Sequence, residues 1–271
     1  MTVAAQQARP GAHTRTGHYR FRHVARMEWI KLRSLRSTWW TLAITVCGAT
    51  AMAVAIGINT KNPRGDLTNN VLAGVVPGLL LTGVLGTVMM TSEYTSGMIR
   101  ATLAAVPGRT LVLAAKAAVF GLVALTAGEA AAFISFAAGA AALRHGIAPP
   151  ALTQPGVLRA VVLAGASYSL IGLMGLGLGA IVRHTAAAIA VLVGGVYVAA
   201  QFVGALAHGA AGYMPVLIIG NSLTATKPLT CPSHAGACLH FLSASAGLGM
   251  LCLYAAVLLG IGAWQLARRD A

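Results

Sequence analysis

Six stretches of mostly apolar residues dominate this chain, each close to the roughly 20 residues that a bilayer crossing needs. They run from about Trp39 to Ile58, from Val71 to Thr91, within Leu111 to Leu143, from Leu158 to Val182, from Thr185 to Ala207, and from about Ser245 to Leu266. Inside lipid every backbone N–H and C=O must be paired within the segment itself, so such stretches become helices. Composition agrees. Of the 271 residues, 57% are hydrophobic and 9% charged, far short of the roughly 25% charge that covers a water-facing surface. Mean hydropathy is +0.77. These values exclude a soluble enzyme, a disordered chain and a disulfide scaffold, and predict an all-α membrane protein with six transmembrane helices. The first run follows too long a basic lead for a cleaved signal peptide and reads as a retained anchor. The third run exceeds one span, which predicts a tilted helix or an added interfacial turn.

The net charge of +14 is unevenly placed. Eight of the 19 basic residues precede Trp39: Arg9, Arg15, Arg20, Arg22, Arg26, Lys31, Arg33 and Arg36. A basic segment ahead of an apolar run reads as an anchor for anionic headgroups. No nucleic-acid recognition motif accompanies it, so nucleic acid is not an expected partner. With the N-terminus inside, Arg100, Arg109, Lys116, Arg183, Arg268 and Arg269 join those eight on the inner side, which makes fourteen. Lys61, Arg64, Arg144, Arg159 and Lys227 make five on the outer side. This bias predicts both termini in the cytoplasm, as an even number of spans requires.

The chain divides into a disordered basic tail over 1–19, an interfacial helix over 20–38 and a six-span domain over 39–271. In the second part Phe21, Val24, Ile30 and Leu35 recur at rough helical spacing between basic residues. Glu28, Trp29, Lys31, Arg33 and Arg36 flank them. Trp29, Trp39 and Trp40 suit the headgroup level, and together these features predict an amphipathic helix on the inner leaflet. His13, His18 and His23 are five apart, do not stack on one face, and predict no metal.

There are 32 glycines. Gly74 with Gly78 and Gly175 with Gly179 have the small-xxx-small spacing that lets helix backbones approach in lipid. Gly175-Leu-Gly-Leu-Gly179 lacks the strand and acidic partner of a dinucleotide fingerprint, so packing is the expected role. Glu129 is the one acid deep inside an apolar run, and a carboxylate there is costly enough to be a functional candidate. Three readings stay open: an ion pair with Arg159 or Arg144, a substrate path, or a proton relay.

Between the fifth and sixth runs lies a long outer segment, His208 to Leu242, whose Tyr213–Ile219 stretch predicts a short re-entrant helix. Cys231 and Cys238 sit seven apart in it, and on an oxidising side they predict a disulfide. A metal site from Cys231, His234, Cys238 and His240 is the sharper alternative. Cys47 and Cys252 fall in spans and read as packing residues.

No GxxxxGK[ST] phosphate loop, HExxH or GxSxG appears, and five acids leave little for acid–base work. The chain is not expected to be an enzyme. The most informative segment is Ser92 to Thr110. On one continuous helix Glu93, Gly97 and Arg100 would share a face, and Pro107-Gly108 then breaks the chain. A short helix at the inner mouth is a surface that a partner can push on. An ordinary short loop is the other reading.

The pattern Glu93-x3-Gly97-x-Ile99, then Leu103, Pro107, Arg109 and Lys116, resembles the first cytoplasmic loop of the type-two exporter permeases of the ATP-binding cassette family. Glu28-Trp29-x-Lys31-Leu32-Arg33-Ser34-x-Arg36-Ser37-Thr38-Trp39-Trp40 is similar to the helix preceding the first span in the actinobacterial branch. Gly175 to Thr185 and Gly128-Glu129 resemble that branch as well. Met98 departs from the Thr that many members carry, and the cysteine pair lies outside the pattern. The resemblance implies a half-transporter in the bacterial plasma membrane. A second permease subunit, identical or related, would complete the channel, and separate ABC ATPase subunits would drive it. ATP and Mg would sit on those subunits, with no cofactor on this chain. Residues Glu93 to Val106 would form the coupling helix that docks on the ATPase, with Glu93, Gly97, Arg100, Leu103, Pro107 and Arg109 as its marks. Family substrates include drugs, antibiotics, peptides, lipids and glycans. A proton-driven secondary transporter resting on Glu129 and a non-transporting scaffold or immunity protein are the alternatives.

Overall fold

Apolar helices in a bundle are held mostly by close backbone approach, because lipid tails are as apolar as Leu and supply no hydrophobic drive. That principle organises the whole molecule. A computed structural model describes residues 20–61, 66–106, 108–206, 210, 212–225 and 242–268. Among them every regular element is helical: α1 (Phe21–Ser34), α2 (Arg36–Asn59), α3 (Leu67–Leu72), α4 (Val75–Thr95), α5 (Met98–Ala105), α6 (Arg109–Ala141), α7 (Val157–Val182), α8 (Thr185–Val193), a π-helical turn (Gly194–Val198), α9 (Ala199–Leu206), α10 (Pro215–Ser222) and α11 (Ala244–Arg268).

Five of these, α2, α4, α6, α7 and α11, are long and apolar enough to cross a membrane. The chain is a multi-pass membrane protein. The fifth expected span, Thr185 to Ala207, is instead segmented: α8 gives way to the π turn at Gly194-Gly195, and α9 follows. Paired glycines weaken a helix interior, and a π turn is the local form the backbone takes there. The third run is one uninterrupted helix. Its 33 residues span about 50 Å at 1.5 Å per residue, more than the roughly 30 Å of hydrocarbon. No interfacial turn interrupts it, and its first turns pack against α1 and the end of α11. The second run starts later than expected. Ala73 and Gly74 separate α3 from α4.

The central helix is α7, packed against α4, α6 and α11. The α4–α7 seam is glycine on glycine. A Cβ on Gly86 would overlap the Gly172 carbonyl oxygen, and one on Gly175 the Gly83 carbonyl oxygen. Thr87 Oγ1 crosses the same seam by donating to Gly175 O at 3.2 Å. On the α6–α7 seam a Cβ on Gly128 would stand 2.5 Å from Gly165 O. Gly74 likewise leaves room for the backbone of α2. The packing role expected for Gly74, Gly78, Gly175 and Gly179 therefore holds.

The helix before the first span is shorter than the expected 20–38. It ends at Ser34, Leu35 is extended (φ −82°, ψ 98°), and Arg36 to Thr38 already belong to α2. Its buried face is Val24, Glu28 and Leu32, an i, i+4, i+8 line with a carboxylate in the middle. Phe21, Ile30 and Leu35, part of the expected apolar stripe, are exposed, as is Trp29. Tyr213–Ile219 is realised as α10, with Pro215 at its first position and Ile218 and Ile219 buried. Cys47 and Cys252 lie exposed on helix surfaces and are not packing residues. Pro107, Cys231, Cys238, His234, His240 and the tail over 1–19 lie outside the described residues.

Candidate functional site

At the end of the bundle that carries α1, four elements converge on one buried charge cluster. Helix α1 contributes Glu28 and Lys31, one turn apart on its inner edge. Glu93 comes from the last turn of α4, Thr102 from α5, and Lys116 from the third turn of α6. Lys31 Nζ donates to Glu28 Oε1 at 3.1 Å, to Glu93 Oε1 at 3.0 Å and to Thr102 Oγ1 at 3.1 Å. Lys116 Nζ donates to Glu93 Oε1 at 2.9 Å and to Glu28 Oε2. Glu28, Glu93 and Lys116 are 1%, 5% and 3% exposed. Two carboxylates against two ammonium groups sum to zero, which is how buried charge is tolerated at all. Glu93 Oε2 is buried with no hydrogen-bond partner among the described residues. Burial disfavours the Lys31 ammonium, but the Glu28 and Glu93 carboxylates beside it outweigh this and hold its pKa above the usual lysine range.

The backbone between Glu93 and Thr102 explains how α5 is aimed. Helix α4 stops at Thr95, and Ser92 O collects Ser96 N at 3.0 Å, Ser96 Oγ at 2.7 Å and Thr95 Oγ1 at 3.1 Å. Gly97 then takes φ +69°, a left-handed conformation that Gly adopts without penalty. A Cβ at this position would meet nothing within 4 Å, so torsion and not crowding selects the residue. The turn restarts the chain as α5, whose Ile99 and Thr102 point inward and whose Met98, Arg100, Ala101 and Ala104 face outward. Ile99 packs with Leu32, Met90 and Leu113, and Val106 with Val24, Val112 and Ala115. Leu103 is half-buried between these clusters.

The expected face of Glu93, Gly97 and Arg100 is therefore corrected. The three do not lie on one helix; the left-handed turn at Gly97 divides them. Glu93 is internal, Arg100 is exposed, and Gly97 shapes the turn. Arg109 sits at the start of α6, where its Nη1 donates to Leu266 O at 3.3 Å, binding the last carbonyls of α11 as a cation favours. Trp29, Arg33 and Arg36 are exposed, and Arg33 O accepts Trp39 Nε1 at 3.4 Å across the α1–α2 junction. Thr102 and the lysine-to-carboxylate pairing were not expected. The signal was present in one respect: Lys116 lies two turns into an apolar run, where only a carboxylate can keep an ammonium.

A second polar group adjoins the first. Arg183, at the turn between α7 and α8, has φ +59° and holds its guanidinium 5.2 Å from the centre of the Tyr94 ring. Its Nε and Nη2 are buried without hydrogen-bond partners among the described residues. Thr185 Oγ1 donates to Thr91 Oγ1 at 2.9 Å beside it. The turn between α7 and α8 is thus fastened to the last turns of α4.

Glu129 lies elsewhere, on the α6–α7 seam, half-buried. The arginines expected to pair with it do not. Arg144 Nε donates to Ile58 O at 2.8 Å, and Arg159 Nη2 to Thr224 O at 3.2 Å and Ala225 O at 3.5 Å. Both brace loops at the far end of the bundle, where the Asp66 carboxylate also accepts from Thr68 N and Ala225 N. An apolar cleft of about 530 Å³ opens between α7, α8 and α11, lined by Met174, Leu178, Val191, Val196, Leu253 and Tyr254. No protein-family model and no curated protein matches this chain.

Proposed function

We propose that this chain is the membrane-spanning permease subunit of an ATP-driven exporter, working as a pair with a second permease subunit and with separate ATPase subunits. The observation that carries the reading is the anchoring of α5. A free surface loop needs no buried ion cluster beneath it. Here Lys31, Glu28, Glu93 and Lys116 tie α1, α4 and α6 together under α5, which Thr102 joins to the cluster and Ile99 to the apolar core. A push on the exposed side of α5 would be passed to two long helices at once instead of being absorbed locally. Coupling of this kind needs contiguous packed elements with two arrangements, one favoured by ATP on the partner.

The segmented stretch Thr185–Leu206 serves as the sixth span in this reading. End to end it makes about 33 Å of helix at 1.5 Å per residue. The α1 end faces the cytoplasm, because the short loops there hold most of the Lys and Arg residues. Both termini then lie on the cytoplasmic side of the bacterial plasma membrane, and α1 rests on its inner leaflet with Trp29 and Ile30 toward the headgroups. ATP and Mg belong to the partner ATPase.

The test is mild-detergent purification of the tagged full chain from its native membrane, followed by ATPase assay and identification of co-purifying chains. A near-stoichiometric ATP-binding subunit, lost on Arg100→Glu with the fold retained, is the expected result. Arg100 is exposed, so its charge reversal spares the core. Purification without such a subunit in several mild detergents would refute the proposal.

A further inference from the structure

Helix α6 carries one acid in the middle of its apolar length, and the surrounding backbone is shaped to hold it. Glu129 lies flat on α7 at Gly165. A Cβ on Gly165 would stand 2.5 Å from Glu129 Cδ, 2.6 Å from Oε2 and 2.7 Å from Oε1. Any other residue there would push the carboxyl end of the flexible Glu129 side chain aside. Oε2 is buried and has no hydrogen-bond partner among the described residues. The two arginines within plausible reach by sequence are committed to backbone carbonyls. A carboxyl so placed is costly in hydrocarbon, yet Gly165 leaves it room and no described residue supplies a counter-charge.

The residue is only half-buried, and its exposed neighbours along the seam carry no charge; the one hydroxyl among them, Thr126, donates to Val123 O at 3.0 Å. Thr126, one turn before it on α6, is exposed, as are Ala130 beside it and Val162 one turn before Gly165 on α7. Phe133, four residues on, shares its helix face and is half-buried. A ligand at Glu129 therefore needs an apolar body to lie along the seam, and a positive or hydrogen-donating head to meet the carboxyl. An aromatic side chain one turn along the helix, Phe133, adds a second element that attracts cations.

We infer that Glu129, cradled on Gly165 and flanked by Phe133, is the recognition point for a lipophilic organic cation that enters sideways from the bilayer. The name of cargo for this ligand rests on the exporter reading; the binding site itself does not.

The experiment uses the full chain in lipid nanodiscs, without any ATPase, and ethidium as the probe: a permanent aromatic cation that carries amine donors. Ethidium binding is read by fluorescence anisotropy. The wild-type chain binds saturably. Glu129→Gln, which keeps shape and removes charge, weakens binding roughly tenfold or more, the scale of a charge-assisted contact. Glu129→Asp retains part of the affinity. Gly165→Ala, which displaces the carboxyl without altering its charge, weakens binding several-fold. In parallel, dicyclohexylcarbodiimide, which modifies carboxyls reachable from lipid, labels Glu129, and ethidium protects it. Equal binding by wild type and Glu129→Gln would overturn the inference. So would labelling that ethidium does not protect, the mark of a proton site. Labelling blocked in a dimer and restored on its dissociation would also overturn it, because a second copy would then cover the carboxyl. Ethidium binding by a chain that co-purifies no ATPase removes the exporter reading and keeps this site; no binding by a chain that does co-purify one does the reverse.

Discussion

Replacing Lys116 by Met tests whether the four-element cluster holds the α1 end of the bundle together. In the wild-type chain the Lys116 ammonium bridges two carboxylates, with Glu93 Oε1 at 2.9 Å. At an effective dielectric near 20 one such contact is worth about 6 kcal/mol of gross Coulomb attraction. Desolvation cancels several kcal/mol per ion, so the intact cluster adds little net stability. Its loss is another matter. Met matches Lys in length and leaves Glu28 and Glu93, both nearly inaccessible, facing only Lys31. The Lys31 side chain is 25% exposed and compensates in part. The expected cost is therefore at the low end of the range for a broken buried pair, about 3 kcal/mol. Reversible unfolding in mixed micelles by dodecyl sulfate reads this directly. The full measurement is a double-mutant cycle with Glu93→Gln, since the double variant restores one negative charge to one positive. We expect a coupling of about 1.5–3 kcal/mol between residues in direct contact. A coupling below about 0.5 kcal/mol, the additivity error for independent sites, would refute the claim that α4 and α6 are joined electrostatically. The Proposed transmission from α5 to both helices would lose its basis with it.

Three more outcomes follow from the same packing. Gly86→Ala, whose methyl would overlap the Gly172 carbonyl across the α4–α7 seam, should destabilise by about 1–3 kcal/mol as overpacking does; equal stability by the same titration would show that the seam is not close-packed. Gly48→Ala, where nothing lies within 4 Å, should instead be neutral or stabilise by up to about 1 kcal/mol from helix propensity, and a loss comparable to Gly86→Ala would contradict the exposed placement of that face. The Lys31 pKa is raised by folding, so its contribution is complete below the unfolded value near 10.5 and fades as pH climbs through the higher folded value. Protease cleavage within α1 should accordingly stay slow across neutral pH and accelerate only in strong alkali, and release of α1 near neutrality would assign its docking to some other group.

Much of the membrane architecture was legible because it rests on one-dimensional properties. Run length, charge bias and glycine spacing act locally along a helix, so α2, α4, α6, α7 and α11 and the role of Gly175 follow from them. Boundaries were less legible where a single torsion decides. The extended Leu35 between α1 and α2, the left-handed Gly97 and the π turn at Gly194-Gly195 each divide what periodicity joins. Those divisions changed the reading of the site. With a helix assumed through Gly97, Glu93 fell on an outer face beside Arg100. Once the chain turns there, Glu93 stays with α4 and faces inward.

What the sequence determined alone is the solvent this chain must live in: 57% hydrophobic residues with 9% charged cannot cover a water-facing surface, and the basic excess must gather at membrane edges. What only the tertiary structure decided is which of its few charges meet. Lys116 lies 88 residues from Glu28 and 23 from Glu93, and no spacing rule relates positions so far apart on different helices. Their partnership depends on how α1, α4 and α6 pack against one another at that end of the bundle. The same holds for Glu129: its position in an apolar run marks it as costly, but the glycine beneath it and the absence of a described partner appear only when α7 is packed against α6.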